Sequence, residues 1–369
     1  MNNTINTIFF KIVEAGLWEK DIQPSRYGDS IDFSEVYHLA EEQAVIGLVA
    51  AGIEHFVDIK VSQDIVLQFI GTTLQLEQRN QAMNQFVAKL VKKLRSNDIY
   101  TLLVKGQGVA QCYERPLWRA CGDVDLYLSK DNYEKAKSCL IPLAQNVEEE
   151  DKKRLHLGMT IEDFVVELHG TMYTGLSRKI NRVSDEVYQD LFYSGNVRSW
   201  NDGGTQVFLP NPDNDVIIIF NHFINHFYGE GIGLRQVCDW CRLLWTYRDS
   251  LNQGLLESRI RKECLMTEWK AFAAFAVEYL GMPAEAMPLY SESFLYSKKA
   301  QMVCKLILET GNFGYNKDES YRKTSSRMKS NWITFWKRFK EFSKLSTIFP
   351  VNAPRFFVTY VANRVKAVL

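Results

Sequence analysis

The sequence predicts an α+β fold: a small mixed sheet flanked by helical N- and C-terminal regions. Three observations carry it. Apolar residues recur at three- and four-residue spacing through residues 1–98, short apolar runs of strand length alternate with helical stretches over 99–210, and helical periodicity returns over 211–312. The remainder, 313–369, reads as a linker followed by a basic amphipathic segment.

Taken in order, Ile5, Ile8, Phe9, Ile12 and Val13 form the first helical stripe, and Val66, Phe69, Ile70 and Leu74 form another. Asp32, with Glu35 three positions later, resembles a capping box that starts a helical segment running to about Glu54. From Tyr100 the expected strands are 102–104, 124–128 and 164–168, with a helix over 132–143. Asn201-Asp202-Gly203-Gly204 marks the turn of a hairpin between 197–200 and 206–209.

Composition bounds the function. The chain has 369 residues, 46% of them hydrophobic and 24% charged, as in an ordinary globular protein with real cores. Lys+Arg and Asp+Glu both number 44, so no global charge points to nucleic acid. The first residues lack the pattern of a secretory signal, and the nearest candidate for a span, the run 216–220, is far too short to cross a membrane. Seven scattered cysteines make no disulfide framework, which points to a reducing cytoplasm.

One segment names a chemistry. In LLVKGQGVAQCYERPLWRACGDVDLYL, an apolar strand ends in Lys105-Gly106 and a second carries Asp123 and Asp125. Side chains alternate along a strand, so these aspartates share a face while Val124 and Leu126 point to a core. Two bare carboxylates there would repel by about 3 kcal/mol at an effective dielectric near 20, so a cation between them is the natural occupant. Oxygen ligands favour a hard ion such as Mg²⁺. Glu167 lies in the apolar run VVELH, where an inward carboxylate is expensive unless liganded. His169, two residues on, either orients a ligand or closes the strand.

The KG at Lys105-Gly106, the R-x₃-D-x-D of Arg119, Asp123 and Asp125, and the VVELH of 165–169 resemble the uncharacterised nucleotidyltransferase family of bacterial proteins, in the DNA polymerase beta-type nucleotidyltransferase superfamily. The similarity covers roughly 101–244. It implies a nucleotidyltransferase core with a glycine turn at Gly106, a metal pair on Asp123 and Asp125, and a third ligand at Glu167. By that resemblance the enzyme moves a nucleoside monophosphate from an NTP, first of all ATP, to an acceptor in protein, RNA or a small molecule, using Mg²⁺ or Mn²⁺. The family's glycine turn is usually followed by Ser or another small residue, and this chain has Gln107 then Gly108.

Such chemistry needs in-line attack on the α-phosphorus, with two ions roughly 3.5 to 4 Å apart held by at least three carboxylates. Gly106 permits a close backbone approach, and the helix after it offers N–H groups to the phosphates. Lys105, Gly106, Gln107, Arg119 and His169 are candidate nucleotide-binding residues, Lys105 and Arg119 as phosphate partners, and His222 is expected to line the nucleotide or acceptor cleft. Two rivals stand beside this reading: a glycosyltransferase whose D-x-D holds a nucleotide sugar, and a binding module that has lost catalysis.

Other patterns carry less. His222 and His226 lie one helical turn apart, as a zinc pair would, but lack the Glu of a zinc-protease helix. Cys238 and Cys241 read as buried helix residues, and Tyr113 and Trp118 as packing residues. Asp239 is placed to hydrogen-bond a histidine ring or an acceptor group. Residues 321–369 hold eleven basic residues, Arg322 to Lys366, against the single acid Glu341, with Trp332, Phe335, Trp336, Phe339 and Phe342 interleaved. This segment is expected to pack on the body of the protein, to contact the inner face of a membrane peripherally, or to bind RNA.

Overall fold

The computed structural model describes residues 3–27, 31–317 and 327–368. The helices are α1 (Asn3–Trp18), α2 (Phe33–Glu42), α3 (Ile46–Glu54), α4 (Gln63–Arg95), α5 (Gly106–Ala110), α6 (Lys130–Leu140), α7 (Arg178–Phe192), α8 (Pro212–Tyr228), α9 (Leu234–Tyr247), α10 (Gln253–Glu263), α11 (Met266–Leu280), α12 (Phe294–Thr310), α13 (Arg327–Ile348) and α14 (Asn352–Val368). The strands are β1 (Thr101–Val104), β2 (Asp123–Leu128), β3 (Asn146–Val147), β4 (His156–Ile161), β5 (Phe164–His169), β6 (Val197–Asp202) and β7 (Thr205–Pro210). They form one mixed sheet in the order β3-β4-β5-β2-β1-β7-β6, so the α+β class holds.

Alternation gives the sheet two unlike faces. Val124, Leu126, Val166, Leu168, Leu157 and Met159 point down onto Met83, Phe86, Val87 and Leu90 of α4 in a closed apolar core. The opposite face carries Asp123, Asp125, Tyr127, Glu167, His169 and His156, roofed by the helical half of the molecule. That half has its own core, joining α1 and α3 to α8, α9, α11 and α12, with Phe9, Phe223, Trp240 and Trp269 fully buried.

Several expectations shift. Asp32 caps α2 by accepting from the Ser34 and Glu35 amides, but the helix stops at Glu42 and α3 begins at Ile46, because Ala44 takes a left-handed φ of 56° between them. In α4 Phe69 is buried against Tyr37, whereas Ile70 and Leu74 are exposed: the first half of this 33-residue helix packs on one side only. The β6–β7 hairpin turns through Gly203 and Gly204, both at positive φ, as a two-residue loop demands. No helix among the described residues is long and apolar enough to cross a membrane.

The expected linker residues 318–326, with Arg322 and Lys323, lie outside the described residues. The C-terminal hairpin α13–α14 packs inward through Phe342, Leu345, Phe349 and Phe356. It is pinned where Glu268 accepts from Tyr228 (2.8 Å) and from Asn352 (2.8 Å). Its outer side leaves Trp332 63% and Trp336 44% exposed.

A second buried acid sets a pH dependence. Glu263, at the end of α10, accepts from Asn221 of α8 (2.6 Å), and its other oxygen has no partner. Burial pushes its carboxyl up to about 8. The folded state therefore holds a proton that the unfolded chain releases near pH 4.5, so this group's stabilisation is present at low pH and is lost as pH rises toward 8. We expect the melting temperature of the wild type to fall between pH 6 and 8.5 relative to Glu263→Gln, with a loss of about 2.5 kcal/mol in stability across that range. Parallel melting curves would refute this.

Candidate active site

Strand register assembles the cluster. β2 and β5 run parallel with Asp125 opposite Glu167 and Tyr127 opposite His169, while antiparallel β4 sets His156 opposite His169 and Gly158 opposite Glu167. The result is a row of two carboxylates beside a row of ring side chains. Asp123 stands one pleat before Asp125 on the same face. Carboxylate oxygens of Asp123, Asp125 and Glu167 lie within 4.8 Å of one another.

Asp125, only 2% exposed, is the most enclosed of the three. Its Oδ1 meets Lys105 Nζ at 2.7 Å and His169 Nε2 at 2.9 Å. His169 stacks on Tyr127, with ring centroids 4.5 Å apart, and its Nε2 lies 3.4 Å from Glu167, which also meets His156 Nε2 at 3.3 Å. Burial alone would raise Glu167, but hydrogen bonds from His156 and His169 and the charge of Lys105 hold its carboxyl well below the usual range. Burial likewise works against a charged His169, and Asp125 and Glu167 overcome it to raise the imidazole. Asp123 differs. The charge of Asp125, then burial, pushes its carboxyl up, and among the described residues no side chain pairs with it.

The cluster forms one wall of a cavity of about 940 Å³. Lys105 enters it from a strained backbone, φ 61° and ψ −146°, a region that costs a non-glycine residue about 1–3 kcal/mol. Burial, the largest influence, would lower the Lys105 ammonium, but Asp125 together with Tyr127, Asp123 and Glu167 outweighs it and raises it, so the lysine stays charged. Gly106 follows at φ 39°, where an added Cβ would lie 3.2 Å from Cys121 Sγ. His222 reaches Lys105 with its Nδ1 3.4 Å from Nζ. Burial and the Lys105 charge hold its imidazole well below its ordinary value, so it is neutral and can accept from the ammonium.

Three expectations need correction. Gln107 does not line the cavity: helical rotation turns it toward α4, where its Nε2 donates to Asn80 (2.9 Å). The helix after Gly106 has only five residues, so its start carries the dipole of a single turn. Arg119 reaches the cavity wall, but its fork is filled, donating from Nε and Nη2 to Asp239 at 3.0 and 2.6 Å. Asp239 accepts from Tyr113 as well (2.7 Å), which accounts for that aspartate without a histidine or acceptor partner. His226 pairs with Glu230 (3.6 Å), and it and His222 join no group of metal-ligating side chains among the described residues. Cys238 and Cys241 are buried.

Two cavity residues escaped the sequence reading. His156 was findable, since the turn at Glu162-Asp163 fixes β4 and β5 as a tight hairpin and puts His156 across from His169. Arg235 was not: one arginine at the start of a helix carries no local signal.

The Arg119–Asp239 pair joins the loop before β2 to α9 and is buried at both ends. Asp239→Asn would leave a buried guanidinium uncompensated, and we expect it to cost about 3–5 kcal/mol in urea unfolding. A loss below about 1 kcal/mol would mean that water reaches the pair.

No curated protein and no solved structure matches the chain. Residues 29–281, well over half of it, match the family model described as uncharacterised nucleotidyltransferase. The stretch that holds Lys105, Gly106, both aspartates and Glu167 lies inside that match, and the protein belongs to the uncharacterised nucleotidyltransferase family.

Proposed function

We propose that the protein transfers a nucleoside monophosphate from an NTP, ATP first among them, to a hydroxyl or phosphate acceptor in a protein, RNA or small molecule. The observation that carries this is the unpaired carboxylate of Asp123 beside Asp125 and Glu167 on the wall of a cavity of nucleotide size. Three convergent oxygens with one uncompensated charge fit a hard divalent cation, Mg²⁺ or Mn²⁺. Asp123, Asp125 and Glu167 are the ligands we assign. Ions bound there would polarise the α-phosphate and stabilise the attacking and leaving oxygens.

The chain's own groups do the rest. Lys105 and His169 fix Asp125 through one oxygen and leave its other oxygen for a ligand. Gly106 lets the backbone approach the phosphates, and Lys105 adds a point charge beside them. In the reaction the acceptor oxygen bonds to the α-phosphorus, the bond to the β-phosphate oxygen breaks, and pyrophosphate leaves as the acceptor gives up its proton. With α-labelled nucleotides, Mg²⁺ and cell extract, we expect label to enter one acceptor class. Asp123→Asn/Asp125→Asn should lower that transfer by more than about a hundredfold. Label transfer unaffected by the double substitution would refute the assignment.

We also assign the C-terminal hairpin to the inner face of a membrane. Trp332, Phe335, Trp336 and Phe339 are exposed along α13 with Lys340 among them; Lys344 pairs with Glu309 (3.4 Å), and Glu341, the sole acid of that helix, is engaged by Lys317 and Arg338. An aromatic face with uncompensated positive charge suits anionic headgroups. Co-sedimentation with vesicles containing phosphatidylserine should exceed that with neutral vesicles and fall for Trp332→Ala/Trp336→Ala. Equal binding to both vesicle types would count against it.

A further inference from the structure

Four arginines line the cavity among the described residues, and three meet a carboxylate. Arg119 is held by Asp239 at 2.6 Å, Arg154 by Asp151 at 3.6 Å and Arg338 by Glu341 at 2.9 Å. Among the described residues Arg235 has no acid within ion-pair distance. Its Nη1 donates to the carbonyl of Ala120 (2.9 Å), its guanidinium lies 5.7 Å from the Phe313 ring centre, and its buried Nε has no hydrogen-bond partner. Asp239 stands one turn along the same face of α9 but is spent on Arg119 and Tyr113. Two guanidiniums thus stand near one carboxylate that pairs with only Arg119, and the surplus positive charge lines the cavity.

The position of that surplus is informative. Ala120, which anchors Arg235, precedes Cys121, whose sulfur is the nearest atom to a Cβ added at Gly106. Arg235 is therefore anchored on the loop that packs against the glycine turn, and it lines the same cavity as Gly106 and the acidic strands. An enclosed guanidinium without a counter-ion is costly, and a planar two-donor edge matches two phosphate oxygens.

We propose that Arg235 is the phosphate clamp of this site, binding the β- and γ-phosphates of the nucleotide in the place that sequence spacing gives to Arg119. This rests on the nucleotidyl-transfer reading for the nucleotide but not for the anion. Arg119 is then a positioning residue: with Tyr113 it fixes Asp239, and so keeps that carboxylate from neutralising Arg235.

Calorimetry tests it with Mg-ATP, AMP and inorganic tripolyphosphate on the wild type, Arg235→Gln and Arg235→Lys. The glutamine variant should bind ATP and tripolyphosphate about tenfold to a hundredfold more weakly, with AMP affinity changed less than about twofold. The lysine variant should fall between, since it keeps the charge and loses the fork. Unchanged ATP affinity, or equal losses for ATP and AMP, would overturn the proposal. Should the glutamine variant not fold, the lysine variant decides on the same criteria. Wild-type protein that binds tripolyphosphate through Arg235 but no nucleotide would keep the anion site and sink the nucleotidyl-transfer reading, and binding of none of the three would sink both.

Discussion

Asp125 lies in the middle of a sheet, almost without contact with solvent, and its negative charge has to be answered on the spot. Lys105 from β1 and His169 from β5 answer it on one oxygen, from the strands on either side. Much else follows from that triple contact. The lysine can reach only by leaving β1 through a backbone conformation that side chains disfavour, and the next residue must be glycine because Cys121 and Asp123 crowd it. His169 can reach only with its ring pressed on Tyr127, which stands opposite it in register. Glue and chemistry here are the same residues.

The parts of the fold legible in the sequence were those with a local signature. Alternation in DVDLYL and FVVELH marked two strands and which face each carboxylate takes, and the double glycine at 203–204 marked a hairpin. Pairing of the two carboxylate strands was legible only through the resemblance, since parallel neighbours leave no local trace of their register. The helical half read as helices but not as a roof: that α9 brings Arg235 and Asp239 over the sheet depends on packing of α8, α9 and α11 around Trp240 and Trp269, a long-range outcome. Arg119 shows the limit most plainly. Its spacing before the D-x-D suggests a phosphate ligand, and burial beside Asp239 gives it a structural partner instead.

Burial also explains why the acids of the roof are tied to neighbouring elements. Asp239, Glu263 and Glu268 each sit inside the helical half and each accepts from a neighbour on another helix or on the loop before β2. An orphaned carboxylate in such surroundings would cost more than its hydrogen bonds return, so every acid is also a tie between elements. These ties hold α8, α9 and α14 at fixed distances above the acidic strands, and the volume left between them is the cavity.

The family match ends at residue 281, yet Phe313, Arg338, Phe342, Phe356 and Tyr360 form the far end of that volume. The shared segment therefore supplies the acidic wall, and chain outside it completes the boundary of the cavity. A fragment cut at the family boundary would expose the apolar surface now covered by Phe342, Leu345 and Phe349.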